Sequence, residues 1–284
     1  MRNEQGSLNP RSIAPSVIED AVLADIEAVN LQTTIGQTTI ANRAALLNAK
    51  AQTPARLGMG RAGTRYKTAS MLRFLADHAL AKDAVNGQVS TDLVAQMGWV
   101  SVQTTVTDQI EYIKNPPKGR RFNAETLEKL GNALPHKPTI QIVVGDGLSS
   151  AAIEANVAKL LPLLKATLNK RDLDIDLTAI PFVKFARVNS LHEIGQVVDA
   201  QVVCILIGER PGLITDESMS AYVAYNPKVG MPDSNMTVIS NIHAGGTTVE
   251  EAAEQLSELF ANMLKYQTAG LELKAILQST GERV

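Results

Sequence analysis

Glu209 is the strongest candidate for a ligand-binding side chain in this sequence. It follows an apolar run at 202–207 and Gly208, and Arg210-Pro211-Gly212 comes directly after it. A short apolar run without alternation, bounded by turn residues, predicts a strand that is buried on both faces. Ligands of parallel α/β sheets bind at the carboxyl ends of such strands. The position favours a ligand contact, although a structural turn with a solvated carboxylate explains the same residues.

A group of cations precedes a predicted helix nearer the start of the chain. Arg61, Arg65 and Lys67 lie among Gly60 and Gly63, just before a helical pattern. Glycines, cations and a helix N-terminus together favour binding of an anion, such as a phosphate or a carboxylate of a partner. A solvated basic loop packed by the arginine stems is the simpler explanation of these residues.

Two further segments match known binding motifs only in part. The segment GDGLSS at 145–150 opens like a dinucleotide-binding turn, but Ser150 replaces the third glycine and no acidic residue ends the next predicted strand. The segment SLHEIG at 190–195 is similar to a histidine motif that ligates cobalt, but Ser190 replaces the aspartate that would orient His192. We interpret His192 as a helix N-terminal residue, and no cluster has the spacing of a metal site.

The composition limits the class of protein. The chain has 284 residues, of which 45% are hydrophobic and 20% charged, and its net charge is −2. This balance argues against a nucleic-acid partner. No apolar run approaches the roughly 20 residues of a membrane helix, and the first residues do not form a secretory signal. We therefore expect a cytoplasmic protein without a membrane partner, and we interpret the one cysteine, Cys204, as core.

The pattern after residue 138 predicts an α/β fold. Apolar runs predict strands, and amphipathic patterns of period 3.6 predict the helices between them. The predicted strands are 139–144, 175–183, 202–207 and 236–239, and the predicted helices are 151–170, 191–198 and 249–268. Alternating strands and helices predict a Rossmann-like parallel sheet flanked by helices.

The residues before this pattern are divided into two parts. An N-terminal extension at 1–50 carries an amphipathic helical pattern at 15–29 and a short helical pattern at 43–50. A smaller, mainly helical domain is predicted at 51–137, with Trp99 and Tyr112 in its core. The Rossmann-like domain then covers 138–284.

Four segments carry a resemblance to a known family. They lie in order between about residue 54 and residue 268, and GERPGL and SNIHAGG are the most specific parts. The segments are 60–85, 143–156, 206–228 and 239–253. In these segments the chain resembles the small (light) subunit of ethanolamine ammonia-lyase.

This resemblance implies an enzyme that converts ethanolamine to acetaldehyde and ammonia by a radical mechanism with adenosylcobalamin. It implies a hetero-oligomer in which a large subunit, a TIM barrel, carries the substrate chemistry. The small subunit would hold the cofactor at the subunit interface and contribute no catalytic residue. The cofactor of this family keeps its own base on cobalt, which agrees with the interpretation of His192.

The resemblance also implies the cofactor-binding residues. The family's cobalamin contacts fall on Val188, Glu209 and Val238, and the neighbouring Arg187 could pair with the cofactor phosphate. Glu209 can accept hydrogen bonds from an amide or a hydroxyl, Val188 can offer backbone groups, and Val238 offers apolar contact. The family carries cysteine at position 238, so the change to valine retains a packing role and excludes a thiol role.

Three points stay open. Arg61, Arg65 and Lys67 are assigned to contact with the large subunit or with the nucleotide tail of the cofactor. Related enzymes enter a bacterial microcompartment, so the helix at 15–29 is either an encapsulation tag or a plain extension. A non-enzymatic Rossmann-like binding or interaction module and a nicotinamide oxidoreductase that uses GDGLSS are the alternative functions.

Overall fold

The computed structural model describes residues 29–281, which form two compact units, one ending at Arg73 and the other beginning at Phe74. The predicted helix at 15–29 lies outside the described residues, except for Val29. Among residues 29–281, none of the helices combines the length and the apolar character that a membrane crossing requires.

The described part of the first unit, residues 29–73, contains a helix, a short hairpin and the first turn of a longer helix that begins at Thr68. Helix α1, Arg43–Ala51, begins after Asn42, whose side chain accepts a hydrogen bond from the N–H of Ala45 (2.9 Å). Strands β1, Arg61–Ala62, and β2, Arg65–Tyr66, pair antiparallel where the sequence predicted a basic loop. The Lys67 ammonium donates to the carbonyl of Gly36 (2.5 Å), so this cation is already used within the chain.

The remaining helices and strands agree with most of the predicted elements. The helices are α2 Thr68–Asn86, α3 Thr91–Gln96, α4 Gln109–Lys114, α5 Ala124–Ala133, α6 Ser150–Asn169, α7 Ser190–Val198, α8 Val249–Tyr266 and α9 Gly270–Thr280. Short 3-10 helices span Pro116–Arg120 and Asp233–Asn235. The strands are β3 Val100–Gln103, β4 Ile140–Gly145, β5 Pro181–Lys184, β6 Val202–Gly208, β7 Met219–Tyr225 and β8 Met236–Ile242.

The second unit is organised around a mixed six-stranded sheet in the order β3-β5-β4-β6-β7-β8. The strands β3, β5, β4 and β6 are parallel, whereas β7 and β8 pair antiparallel. The α/β class and the fully buried strand β6 are confirmed. The expectation of a wholly parallel sheet was wrong, and the description as Rossmann-like stays a prediction.

Two strands account for the difference. The sequence analysis missed β7, MSAYVAY, whose buried residues mix small and larger side chains and form neither a long apolar run nor a regular alternation. The strand predicted at 175–183 is only β5, because the Asp176 carboxylate accepts from the N–H (2.8 Å) and the hydroxyl (2.6 Å) of Thr178. This turn, closed by hydrogen bonds to the Asp176 side chain, competes with strand pairing, so β5 begins only at Pro181.

The sheet is covered by helices on both faces. Alternate residues of β4 and β6 belong to two separate cores, one shared with α6, α8 and α9 and the other with α5 and α7. Since α6 leads from β4 to β5 and α7 leads from β5 to β6, the chain crosses opposite faces around β4. Such a reversal opens a crevice at the carboxyl ends of β4 and β6, where ligands of α/β sheets bind.

The predicted mainly helical domain at 51–137 is not confirmed. Strand β3, Val100–Gln103, pairs with β5 and so belongs to the main sheet. Trp99 stacks on Phe182 of β5 (6.0 Å between ring centroids), and Tyr112 is buried beside Phe185 (5.7 Å). These two aromatic residues are core residues as predicted, but the core is that of the α/β unit.

Candidate functional site

A pocket of about 380 Å³ lies at the carboxyl ends of β4, β5 and β6 and beside the strands β7 and β8. All four predicted site residues line it. The lining residues are Tyr112, Leu148, Ala186, Arg187, Val188, Ile207, Gly208, Glu209, Arg210, Ser220, Tyr222, Val238 and Ser240. The predicted residues come from separate elements: Arg187 and Val188 from the β5–α7 connection, Glu209 from the end of β6, and Val238 from β8.

Glu209 joins three segments at one side of this pocket. Its Oε2 accepts from the Ser218 hydroxyl (2.8 Å), and its Oε1 accepts from the Ser220 hydroxyl (2.5 Å) and from the Asn241 N–H (3.0 Å). A carboxylate offers about four acceptor positions. These three donors therefore leave one position, on Oε2, for a ligand.

The same donors keep Glu209 ionised. Burial acts to raise its pKa, but the Asn241 N–H and the hydroxyls of Ser220 and Ser218 outweigh burial and hold the pKa below its ordinary value. Hydrogen bonds to the charged form of a carboxylate stabilise that form. The pocket therefore presents a fixed negative charge beside apolar side chains.

Arg187 is held by Tyr112 and is not directed freely into the pocket. Its guanidinium carbon lies 4.2 Å from the Tyr112 ring centroid, and its Nη2 donates to the Tyr112 carbonyl (2.8 Å). The Tyr112 hydroxyl in turn donates to the carbonyl of Ala186 (2.8 Å). Gly119 gives the Arg187 stem room, because a Cβ there would lie 2.7 Å from Arg187 Cγ. Arg187 thus forms part of the pocket wall.

The two valines present different groups to the pocket. Val188 is half-buried in the connection before α7, and within residues 29–281 its N–H has no hydrogen-bond partner. Val238 is 46% exposed and pairs with Tyr222 across the β7–β8 ladder. Val188 can therefore donate to a ligand, and Val238 offers apolar surface, as the sequence analysis expected of both.

Tyr112, Tyr222 and Arg210 are among the lining residues that the sequence analysis did not assign to the site. Tyr222 lies on β7, the strand that sequence reasoning missed, and Tyr112 was assigned to the core of another domain. Arg210 is exposed and follows Glu209 directly, so adjacency to Glu209 was the signal that could have identified it.

The two rejected motifs lie where a structural role explains them. His192 is the third residue of α7 and is 4% exposed, and burial lowers the pKa of its imidazole. Gly147 packs against the end of β6, since a Cβ there would lie 2.6 Å from the carbonyl oxygen of Gly208. Among the described residues, no group of three His, Cys, Asp or Glu side chains is arranged to hold a metal ion.

Comparison with known proteins matches this chain to one family. The family model "Ethanolamine ammonia-lyase light chain (EutC)" matches residues 43–274. The chain belongs to the ethanolamine ammonia-lyase light chain family. The match includes all four segments on which the resemblance was based, so the predicted family is confirmed.

Relatives from several bacteria agree with this assignment. The ethanolamine ammonia-lyase small subunit of Listeria monocytogenes serotype 4b (strain CLIP80459) is 48% identical over 264 residues, which are 93% of this chain and 89% of the relative. The small subunit of Clostridium perfringens (strain ATCC 13124) is 48% identical over 258 residues, 91% of this chain and 87% of the relative. That of Clostridioides difficile (strain 630) is 44% identical over 258 residues, with the same two shares. Every pocket residue lies within the part of the chain that the light chain family model matches.

Proposed function

We propose that this chain is the small subunit of an ethanolamine ammonia-lyase and holds adenosylcobalamin against a catalytic large subunit. The observation that carries the proposal is the convergence of Arg187, Val188, Glu209 and Val238 on one pocket at the carboxyl ends of the strands. The family resemblance implies these positions as cofactor contacts from sequence alone. Separate elements contribute them, so their convergence is an independent argument for a shared ligand.

The chemistry of the pocket suits one side of a cobalamin. Leu148, Ile207 and Val238 with the Tyr222 ring offer apolar surface to a flat ring or base. The remaining acceptor position of Glu209 suits an amide N–H or a ribose hydroxyl, and the N–H of Val188 suits an amide carbonyl. A cobalamin is larger than this pocket, so a partner surface is needed to enclose its other side. This division agrees with a cofactor bound at a subunit interface.

The role of the chain in this proposal is positioning. When bound, adenosylcobalamin supplies the radical chemistry by which ethanolamine yields acetaldehyde and ammonia. The chain's residues would orient the cofactor and exclude water, and the large subunit, proposed as a TIM barrel, would bind the substrate. His192 would take no part in holding the cofactor, since it is buried in α7 and lines a different pocket.

The proposal includes a location. We expect a cytoplasmic enzyme that enters a bacterial microcompartment in a host that makes one, with residues 15–29 as the tag. Deletion of residues 1–30 followed by localisation tests this point. Unchanged encapsulation of the shortened chain would contradict the tag hypothesis.

Co-expression with a large subunit from the same genome is the experiment that tests the function. We expect purification through a tag on this chain to yield both subunits, and acetaldehyde to form from ethanolamine only when both subunits and adenosylcobalamin are present. A folded chain that never binds a large subunit would contradict the proposal and favour the non-enzymatic binding module.

Glu209→Gln tests the pocket itself. An uncharged amide cannot accept all three of the hydrogen bonds that Glu209 accepts, so we expect affinity for adenosylcobalamin to fall by about tenfold. Turnover at saturating cofactor should change much less. The control is Glu217→Gln, because Glu217 is exposed on the same loop and does not line the pocket. Equal affinities in the two variants would argue against a cofactor site at Glu209.

A further inference from the structure

His243 lies just beyond the pocket and does not line it, yet a chain of hydrogen bonds connects it to Glu209. It is 8% exposed and follows the end of β8. Its Nδ1 accepts from the N–H of Gly245 (3.1 Å), and its Nε2 lies 2.9 Å from Oδ1 of Asn241. A ring nitrogen that accepts from an N–H carries no proton of its own, so the N–H of the ring is on Nε2. His243 therefore donates to Asn241.

Asn241 has a left-handed backbone conformation, with a φ of 61°. Among residues other than glycine, asparagine adopts this region most readily, because its side chain can form local hydrogen bonds. This conformation accompanies the hydrogen bond from the Asn241 N–H to Oε1 of Glu209 (3.0 Å). The Asn241 carbonyl accepts from the N–H of Thr247 (2.9 Å), which closes the loop.

The glycines of this loop permit its close approach. A Cβ on Gly246 would lie 2.4 Å from both the carbonyl oxygen and the side-chain nitrogen of Asn241. Only a residue without a side chain lets the loop fold back over Asn241 at this distance. The loop, the imidazole and Asn241 thus form one tight turn beside Glu209.

We propose that His243 is a positioning residue of the cofactor pocket, which holds Asn241 in its left-handed conformation so that the Asn241 N–H fixes Glu209. The expected effect of His243 on cobalamin binding rests on the proposed function, whereas the effect of His243 on Asn241 does not. The imidazole acts through one donor and one acceptor. Glutamine also supplies a donor and an acceptor, whereas phenylalanine has a similar shape and neither.

A double-mutant cycle in the assembled enzyme tests the link to Glu209. We expect His243→Phe to weaken adenosylcobalamin binding by about tenfold, as loss of one partly buried hydrogen bond would. His243→Gln should retain affinity within about threefold of the unmodified enzyme. In a Glu209→Gln background, His243→Phe should add less than about twofold, because its route to the cofactor is already broken.

Asn241→Ala removes the hydrogen bond between His243 and Asn241 by deleting the side-chain acceptor. This variant is used in place of His243→Phe if His243→Phe does not fold. We expect it to weaken binding to the same extent. A tenfold effect of His243→Phe that persists in the Glu209→Gln background would overturn the proposal. So would unchanged affinity in both His243→Phe and Asn241→Ala.

Hydrogen–deuterium exchange separates failure of this inference from failure of the proposed function. Without cofactor, the peptide that covers 239–247 should exchange faster in His243→Phe than in His243→Gln. Unchanged exchange would overturn the positioning role. Faster exchange in His243→Phe would support the role of His243 in holding Asn241. If Glu209→Gln at the same time left the affinity for cobalamin unchanged, Glu209 would be rejected as a cofactor contact.

Discussion

At the scale of single residues, Arg187 shows how packing determines what a charged side chain can do. Its guanidinium stacks on Tyr112 (4.2 Å) and donates to the Tyr112 carbonyl (2.8 Å). A lysine ammonium can neither stack as a plane nor donate in a fork. We expect Arg187→Lys to lower the free energy of unfolding by about 1 to 2 kcal/mol, measured by urea titration.

Arg210→Lys is the matched control for this change. Arg210 lines the same pocket but is exposed, so its conservative replacement should stay within about 0.5 kcal/mol of the unmodified chain. Equal losses in the two variants would mean that the Tyr112 stack does not stabilise the fold.

Asp146, in the turn after β4, predicts a pH dependence of stability. Burial raises the pKa of its carboxyl to about 7, and within residues 29–281 the carboxylate accepts one hydrogen bond, a long one from the Val89 N–H (3.4 Å). In the unfolded chain this carboxyl has its ordinary pKa of 3.8. As pH rises, the unfolded state therefore releases the proton at a lower pH than the folded state. Stability should therefore fall between about pH 4 and pH 7 through this group.

Asp146→Asn removes that loss. An asparagine stays neutral and still accepts from Val89, so we expect the variant to be more stable at pH 8 by on the order of 2 kcal/mol. The difference from the unmodified chain should be small at pH 4 and should grow with pH in urea unfolding. Asp83→Asn, at an exposed position of α2, is the control and should show no such trend. A gain that does not depend on pH would contradict the burial of a charge at Asp146.

At the scale of elements, the start of α8 is determined by a capping box of residues that are close in the sequence. The Thr248 hydroxyl accepts from the N–H of Glu251 (3.2 Å), and the Glu251 carboxylate accepts from the N–H of Thr248 (3.0 Å). We expect Thr248→Ala to lower the free energy of unfolding by about 1 kcal/mol. Gln255→Ala, in the exposed middle of the helix, should change it by less than about 0.5 kcal/mol. Unfolding of both variants in urea compares them, and equal small losses would mean that the cap does not stabilise α8.

The elements that sequence predicted well carry their signals locally. Strand β6 is an apolar run between turn residues, and the predicted helix at 151–170 is α6, Ser150–Asn169, which begins after the Ser149 cap and continues through Pro162. Strand β7 was missed because its position depends on pairing with β6 and β8, residues distant in sequence. Context of this kind outweighs the intrinsic preference of a strand.

The site shows the same division between local and distant signals. The position of Glu209 after β6 could be predicted from the apolar run and the turn residues that follow it. Its partners could not, because Ser218 and Ser220 face it through β7 and Asn241 faces it through β8. The register of the antiparallel pairs brings these groups together, and a wholly parallel sheet would not have done so.

At the scale of the whole molecule, the proposed function predicts that a partner covers the pocket. Val238 on its rim is a 46% exposed apolar side chain, and family membership implies a large subunit. The chain contains one cysteine, Cys204, which is buried in β6, and burial raises the pKa of its thiol. A buried thiol with a raised pKa reacts slowly with electrophiles. A cysteine placed at position 238 would therefore be a selective probe of the pocket.

Val238→Cys tests whether the cofactor and the large subunit cover this pocket together. We expect a maleimide to label this variant rapidly in the free chain and at least about tenfold more slowly in the complex with adenosylcobalamin, because both the cofactor and the partner would exclude the reagent. The unmodified chain should stay unlabelled, and Leu271→Cys, at a position that is 68% exposed on α9, sets the rate for an open site. Protection by the large subunit alone would indicate a protein contact at Val238 without a cofactor contact. Full labelling of Val238→Cys in an active complex would place the cofactor elsewhere, since a side chain that covers a bound cobalamin cannot stay open to solvent.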